Sequence, residues 1–293
     1  MLLFEKRVQK LIEGSIDIHI HTAPDIFPRV VDDIGAALMA KEQGMRAILL
    51  KSQLNSTAER AVIASQQTDF PVFGGIALNY YVGGLNILAV EAALQLGAKQ
   101  VWLPTLHAHQ WMSSPLKTFH LSWVLKEGQK GIYMLKEDGT LKEELYPIFK
   151  KIAEYDAVLG TGHISIGEAK VVVKEAAKAG VKKILVTHPL STVLAFSVKD
   201  IKELLDNGAM FVEHTYCAVT RQVGRPITQK DIADNVRAIG AKYTILSTDT
   251  GQWLNPIPVQ AMGIYIRDML DLGISEDDIR TMVSTNPAKL LGL

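Results

Sequence analysis

The chain has 293 residues, 48% of them hydrophobic and 21% charged, a length and balance able to bury a large core. Lys+Arg and Asp+Glu both total 31, so there is no overall positive field to attract nucleic acid, although a local anion site stays open. One cysteine excludes an intrachain disulfide framework and a four-thiolate zinc ribbon; any metal must be held by histidines and carboxylates.

The first residues, MLLFEKRVQKLIEG, read as a charged helix with no uninterrupted apolar core before a cleavage site. The uncharged stretch Phe70 to Val90 carries Pro71, four glycines, Asn79 and Asn86, so it reads as strand, loop and helix start rather than a bilayer span. A soluble cytoplasmic protein without a membrane partner is expected. Strands are predicted at Ser15–His21, Arg46–Lys51, Val72–Leu78, Gln100–Pro104, Val158–His163, Lys183–His188, Ala209–His214 and Tyr243–Asp249. Helical periodicity fills the intervals, for instance Asp33–Gln43, Leu85–Leu96, Gly167–Ala179 and Val259–Leu272. Gly44, Gly97, Gly180, Gly208 and Gly240 stand between a helix and the next strand, where glycine relieves the left-handed strain of a helix end.

Eight strand–helix units predict an α/β fold of the (β/α)8 TIM-barrel kind, in one domain spanning residues 1–293. An open doubly wound sheet is the rival, but the first strand runs into HTAPDIFP, with no GxGxxG loop. From about 107 to 140 the chain leaves the αβ rhythm, with Trp111, Trp123 and a hairpin-like YMLKEDGTL, an excursion after the fourth strand. A lid, an oligomer contact and a plain cover over a helix all fit this segment. A homo-oligomer therefore stays open.

Seven of eight histidines, all but His120, fall at or just beyond a predicted strand end. In a barrel those ends converge on one mouth. In DIHIH, alternation puts Asp17, His19 and His21 on one face, pointing inward, with Ile18 and Ile20 toward the helices. Two inward imidazoles form a metal clamp, with Asp17 as an inward support for them. VLGTGHIS and ILVTHP add His163 and His188, and TILSTDTGQ ends the last strand with Asp249, a carboxylate suited to ligate a cation and accept a proton from water.

This ordered set resembles the amidohydrolase superfamily, and STNPAKLLGL resembles the closing segment of many members. The nearest likeness is to an uncharacterised amidohydrolase-like branch carrying DIHIHTAPD, GMRAILLKS, TGHIS, THP and STDTGQ segments. The resemblance implies a barrel holding one or two divalent ions, zinc first and manganese or iron as alternatives, on His19, His21, His163, His188 and Asp249. It implies a hydrolase that activates water to cleave an amide, cyclic amide or ester bond of a small molecule, with Asp249 and His188 catalytic. Phosphoesterase or lactonase activity on the same site, a non-hydrolytic decarboxylase or isomerase, and a non-catalytic metal-containing binding protein remain as alternatives.

Two features depart from better-known members. Strand four ends in PTLHAHQ, without a bridging lysine or glutamate, and no β-sandwich precedes strand one. Lys51, after strand two, is a candidate for a carboxylated bridge, a substrate contact or an ion pair. Glu213 and His214 are adjacent, so one faces the mouth, and periodicity does not choose between them. His107, Arg29, Arg221 and Arg225 complete the substrate-binding candidates, the arginines as clamps for an anion.

Overall fold

Short parallel strands alternate with helices through most of the computed structural model, which describes residues 4–115, 128–223 and 226–293. The order is α1 (Lys6–Ile12), β1 (Ile16–Ile20), α2 (Asp33–Glu42), β2 (Ala47–Leu50), α3 (Ala58–Thr68), β3 (Val72–Phe73), β4 (Gly75–Ala77), α4 (Ile87–Gln95), β5 (Gln100–Trp102) and α5 (His109–Ser113). There follow α6 (Leu145–Glu154), β6 (Val158–Gly160), α7 (Ile166–Lys178), β7 (Lys183–Val186), α8 (Val198–Asp206), β8 (Phe211–Thr215), α9 (Gln229–Ile239), β9 (Thr244–Ser247), α10 (Pro258–Asp271), α11 (Glu276–Arg280) and α12 (Asn286–Leu291). Among the described residues, no helix is long and apolar enough to cross a membrane.

The ladders run β1-β2-β3 and β4 through β9, all parallel. β3 and β4 are one strand broken at Gly74, so the nine segments make eight barrel staves. A side chain at Gly74 would run into the Thr57 and Ala58 backbone, and that close approach lets Thr57 bond across the break. Thr57 Oγ1 donates to Leu50 O at 2.7 Å and accepts from Gly75 N at 2.9 Å. The other seam closes where Asp249 N donates to His19 O at 2.7 Å and His21 N to Thr250 O at 2.8 Å. Gly251, at φ +123°, is required there, because a Cβ would overlap the His21 carbonyl. The two ladders thus share the broken strand β3–β4 and meet at the β1–β9 seam, the arrangement of a (β/α)8 barrel.

Ile16, Ile18, Leu49, Trp102, Leu185, Phe211 and Ile245 fill the barrel interior, and Leu290 and Leu291 of α12 plug its lower end. Asn286 fixes that plug, donating from Nδ2 to Thr244 O at 2.7 Å and to Ala241 O at 2.9 Å. Two larger apolar layers lie between strands and helices. Burying a Leu or Ile side chain in such layers stabilises by roughly 1.5–3 kcal/mol.

One expectation about β1 is corrected. Its register against β2 shifts between Asp17 and Ile20. Ile18 joins the barrel interior, Ile20 the helix-facing layer, and Asp17 faces outward near Ile20, Ala36 and Val259. A bulge of this kind re-aims the side chains beyond it, so His19 turns inward although Ile18 before it does too. Asp17 instead ties β1 to β9: Thr248 Oγ1 donates to Oδ2 at 2.5 Å, and Thr248 N to Oδ1 at 3.0 Å.

The excursion after β5 is described only in part, and His120 and Trp123 lie outside the described residues. Ala108 and Ile132 form a parallel bridge, and Lys136 N donates to Thr140 O over the turn at Asp138-Gly139. Trp111 of α5 packs with Phe27, Leu106 and Ala108.

Candidate metal centre and its cavity

His19 and His21 leave β1 pointing into the mouth, and Asp249 meets them from the far side of the seam. Asp249 Oδ1 lies 3.1 Å from His19 Nε2 and 3.0 Å from His21 Nε2. Ligand atoms of the three residues all lie within 4.8 Å of one another. Donors about 2.0–2.2 Å from a tetrahedral cation stand about 3.4 Å apart, so these atoms need only a slight expansion to hold one.

Behind His19, Nδ1 donates to Glu213 Oε1 at 3.0 Å, and Ser247 Oγ donates to the same oxygen at 2.6 Å. This fixes the ring so that Nε2 is the ligating atom, the usual service of a carboxylate behind a metal-bound imidazole. Alternation along β8 sends Glu213 inward and His214 outward, where His214 Nε2 meets Asn235 Oδ1 of α9 at 3.0 Å. His214 is therefore a helix-packing residue, and the sealed Glu213 carboxylate serves His19 rather than a substrate.

His163 and His188 stand alongside, with ring centroids 4.9 Å apart, and His188 lies 6.1 Å from His19. Their Nδ1 atoms, and that of His21, are buried without a protein partner. A bound ion or substrate would satisfy those of His163 and His188. Burial, reinforced by the charge of Arg29, lowers His21 to about 3; burial lowers His188 to about 4, and together with the neighbouring His188 it lowers His163 well below its usual value. Three imidazoles are thus held neutral, the form that ligates metal. At His19 burial also opposes charge, but Asp249 and Glu213 prevail and raise it to about 9. The two carboxylates call for a positive charge at this spot, which a divalent cation would meet. The donor set fits a divalent metal.

Asp249 and His188 both take positive φ, 51° and 25°. Such backbone is uncommon outside glycine, though Asp and His tolerate it better than most residues. Burial pushes the Asp249 carboxyl up, but the His19 charge and the bonds from His19 and His21 outweigh this and hold it well below the usual range. Its side chain is 17% exposed, open toward the cavity.

Lys51 continues the inward alternation of β2. Its Nζ lies 3.0 Å from His19 Nε2 and 5.2 Å from the Trp102 ring centre, and burial lowers its pKa against the pull of Asp249. Above the cluster opens a cavity of about 480 Å³. Its wall includes Phe27, Gln53, Leu106, Trp111, Val193, Cys217 and Trp253 beside His21, Lys51, His163, His188 and Asp249. Arg29 lines it too, with Nε and Nη2 bonded to Asp25 Oδ2 at 3.1 and 2.8 Å.

Three other candidates sit elsewhere. His107 is buried edge-on to the Tyr80 and Tyr81 rings and does not line the cavity, because its strand end leads into the Asn79 network instead. Arg221 is exposed and away from the cavity wall. Arg225 lies outside the described residues. Sequence reasoning did not find Gln53, Trp253 or the support given by Glu213 to His19. Gln53 and Trp253 follow strand ends, the one signal that pointed to them.

The barrel is similar along nearly its whole length to several solved enzymes. An amidohydrolase from Pseudomonas aeruginosa aligns over 97% of this chain and 98% of its own, with a TM-score of 0.60 at 14% identity. A mutant of a PTE-like lactonase from Deinococcus radiodurans aligns over 97% of both chains, again with a TM-score of 0.60 and 14% identity. A 2,6-dihydroxybenzoate decarboxylase aligns over 96% of this chain and all of its own, at TM-score 0.56 and 12% identity. No curated protein matches by sequence. The class defined by these likenesses is structural: the barrel fold shared by amidohydrolase-type enzymes. Residues 14–212 match a family of unknown function, DUF6282, and the chain belongs to that family.

Proposed function

We propose that this protein is a metal-dependent hydrolase that activates water to cleave an amide, cyclic amide or ester bond of a small molecule. The observation that carries the reading is the convergence of His19 Nε2, His21 Nε2 and Asp249 Oδ1 beneath a cavity large enough for a small substrate. His19, His21 and Asp249 would hold one divalent ion, with His163 and His188 beside it for a second or for the substrate. Zinc suits imidazole and carboxylate donors best, with manganese or iron as alternatives. When bound, the cation lowers the pKa of water toward neutrality and polarises the bond to be cleaved.

Asp249 has its Oδ1 turned to the two imidazoles, while its other oxygen has no protein hydrogen bond among the described residues. That oxygen accepts the proton of the attacking water and returns it to the leaving group. His188, held neutral at physiological pH, would donate from its ring to the developing oxyanion, a contribution of about 3 kcal/mol. Glu213 keeps His19 in one tautomer throughout.

Asp249→Asn is expected to abolish turnover of a panel of neutral lactones, esters and cyclic amides while retaining part of the metal. Wild-type rates in that variant would remove Asp249 as the base. The structural likeness to a decarboxylase supports a second, non-hydrolytic reading. Labelled oxygen from water appears in the product of hydrolysis and not in that of decarboxylation.

A further inference from the structure

Gln53, just beyond β2, has its carboxamide oriented by groups that cannot exchange roles. Asn79 Oδ1 accepts from the backbone N–H of Thr105 at 3.0 Å and of His107 at 3.1 Å. Backbone nitrogens only donate, so the acceptor end of Asn79 is fixed and its Nδ2 must face the other way. Nδ2 donates to Gln53 O at 3.0 Å, to Thr105 Oγ1 at 2.8 Å and to Gln53 Oε1 at 3.3 Å. The Thr105 hydroxyl donates to Gln53 Oε1 as well. The carboxamide oxygen is thereby held in the wall by two donors. Its Nε2 has no protein partner among the described residues, and the side chain lines the cavity.

The arginine of the cavity wall is already matched. Arg29 and Asp25 form a sealed pair, their side chains only 3% and 1% exposed. The cavity is lined as well by the apolar surfaces of Phe27, Leu106, Trp111 and Trp253. A ring-bearing, largely apolar ligand would bury its faces against these surfaces and present an oxygen.

We propose that Gln53 Nε2 is a fixed hydrogen-bond donor to the acceptor oxygen of a largely apolar, ring-bearing substrate. This names the substrate class of the cavity and rests on reading that cavity as the substrate site. A preset donor confers selectivity because no reorganisation is needed when the oxygen arrives, and because an analogue without the oxygen leaves the amide unpaired.

The test is equilibrium dialysis of the purified protein against two probes of one ring system that it cannot hydrolyse: 1-indanone and indane. Wild type is expected to bind 1-indanone about fivefold tighter than indane, the size of one neutral hydrogen bond. Gln53→Met should bring 1-indanone and indane level. Gln53→Glu keeps the shape and the bonds from Thr105 and Asn79 but presents an acceptor oxygen to the cavity, so 1-indanone should fall to or below indane; this isosteric variant carries the test if Gln53→Met does not fold. An absent preference for 1-indanone in wild type, or a preference surviving both substitutions, would overturn the proposal. Because binding needs no turnover, a protein that reads 1-indanone through Gln53 yet hydrolyses nothing would overturn only the hydrolase reading.

Discussion

Glu213 is fully buried, accepts two hydrogen bonds on Oε1 and leaves Oε2 without one. Its carboxylate orients the His19 ring and raises the basicity of Nε2. Glu213→Gln removes the charge but keeps the shape, so the metal affinity should fall about 10- to 100-fold with the fold intact, measured by competition with a chromogenic chelator. Unchanged affinity would mean that Glu213 is only a packing group. The histidines at strand ends were legible because imidazoles rarely gather at one mouth by chance. The choice between Glu213 and His214 was not, since adjacent residues on a strand differ only in what they face. Ser247 of β9 and Asn235 of α9 decide it here. Gln53 was equally hidden, because a neutral amide carries no chemical signature until Asn79 and Thr105 are seen around it.

At the scale of elements, the apolar runs and recurrent glycines marked all eight staves, and the five helix-end glycines do take positive φ. Two features escaped. The bulge in β1 breaks the alternation on which facing was inferred, turning Asp17 outward and Ile18 inward; periodicity assumes an unbroken register. The break at Gly74 depends on how closely Thr57 approaches from the start of α3, a tertiary fact with no local cue. Gly74→Ala would drive a methyl group into the Thr57 backbone and disturb the bonds from Thr57 to Leu50 and Gly75. Overpacking of this kind should cost about 2–3 kcal/mol, read as a lower urea midpoint at unchanged slope. A midpoint within error of wild type would show that the backbone there yields freely.

For the molecule as a whole, enclosing so many imidazoles has a consequence for acid stability. Burial holds His214 down to about 4, and His107 likewise to about 4. Each titrates near 6.5 when the chain unfolds. Between those values the unfolded chain binds more protons than the folded one, so stability is lost as pH falls from about 6.5 toward 4. His214, sealed against Asn235 on the helix-facing side of β8, carries the effect at a side chain that does not line the main cavity. His214→Gln should lose about 1–2 kcal/mol less stability than wild type between pH 7 and pH 5 in urea titrations. Parallel losses would show that His214 does not stay neutral in the folded chain.

The barrel brings His19 and Asp249, 230 residues apart in sequence, to 3.1 Å across its closing seam, and the functional account depends on a cation being held there. Metal content of the purified protein by elemental analysis, set beside that of His19→Ala, tests this most directly. Wild type should carry at least one equivalent of a divalent transition metal, and the variant, folded by circular dichroism, should lose most of it. A wild-type protein that is free of metal and takes none up when zinc is supplied, or a variant with unchanged stoichiometry, would contradict the account.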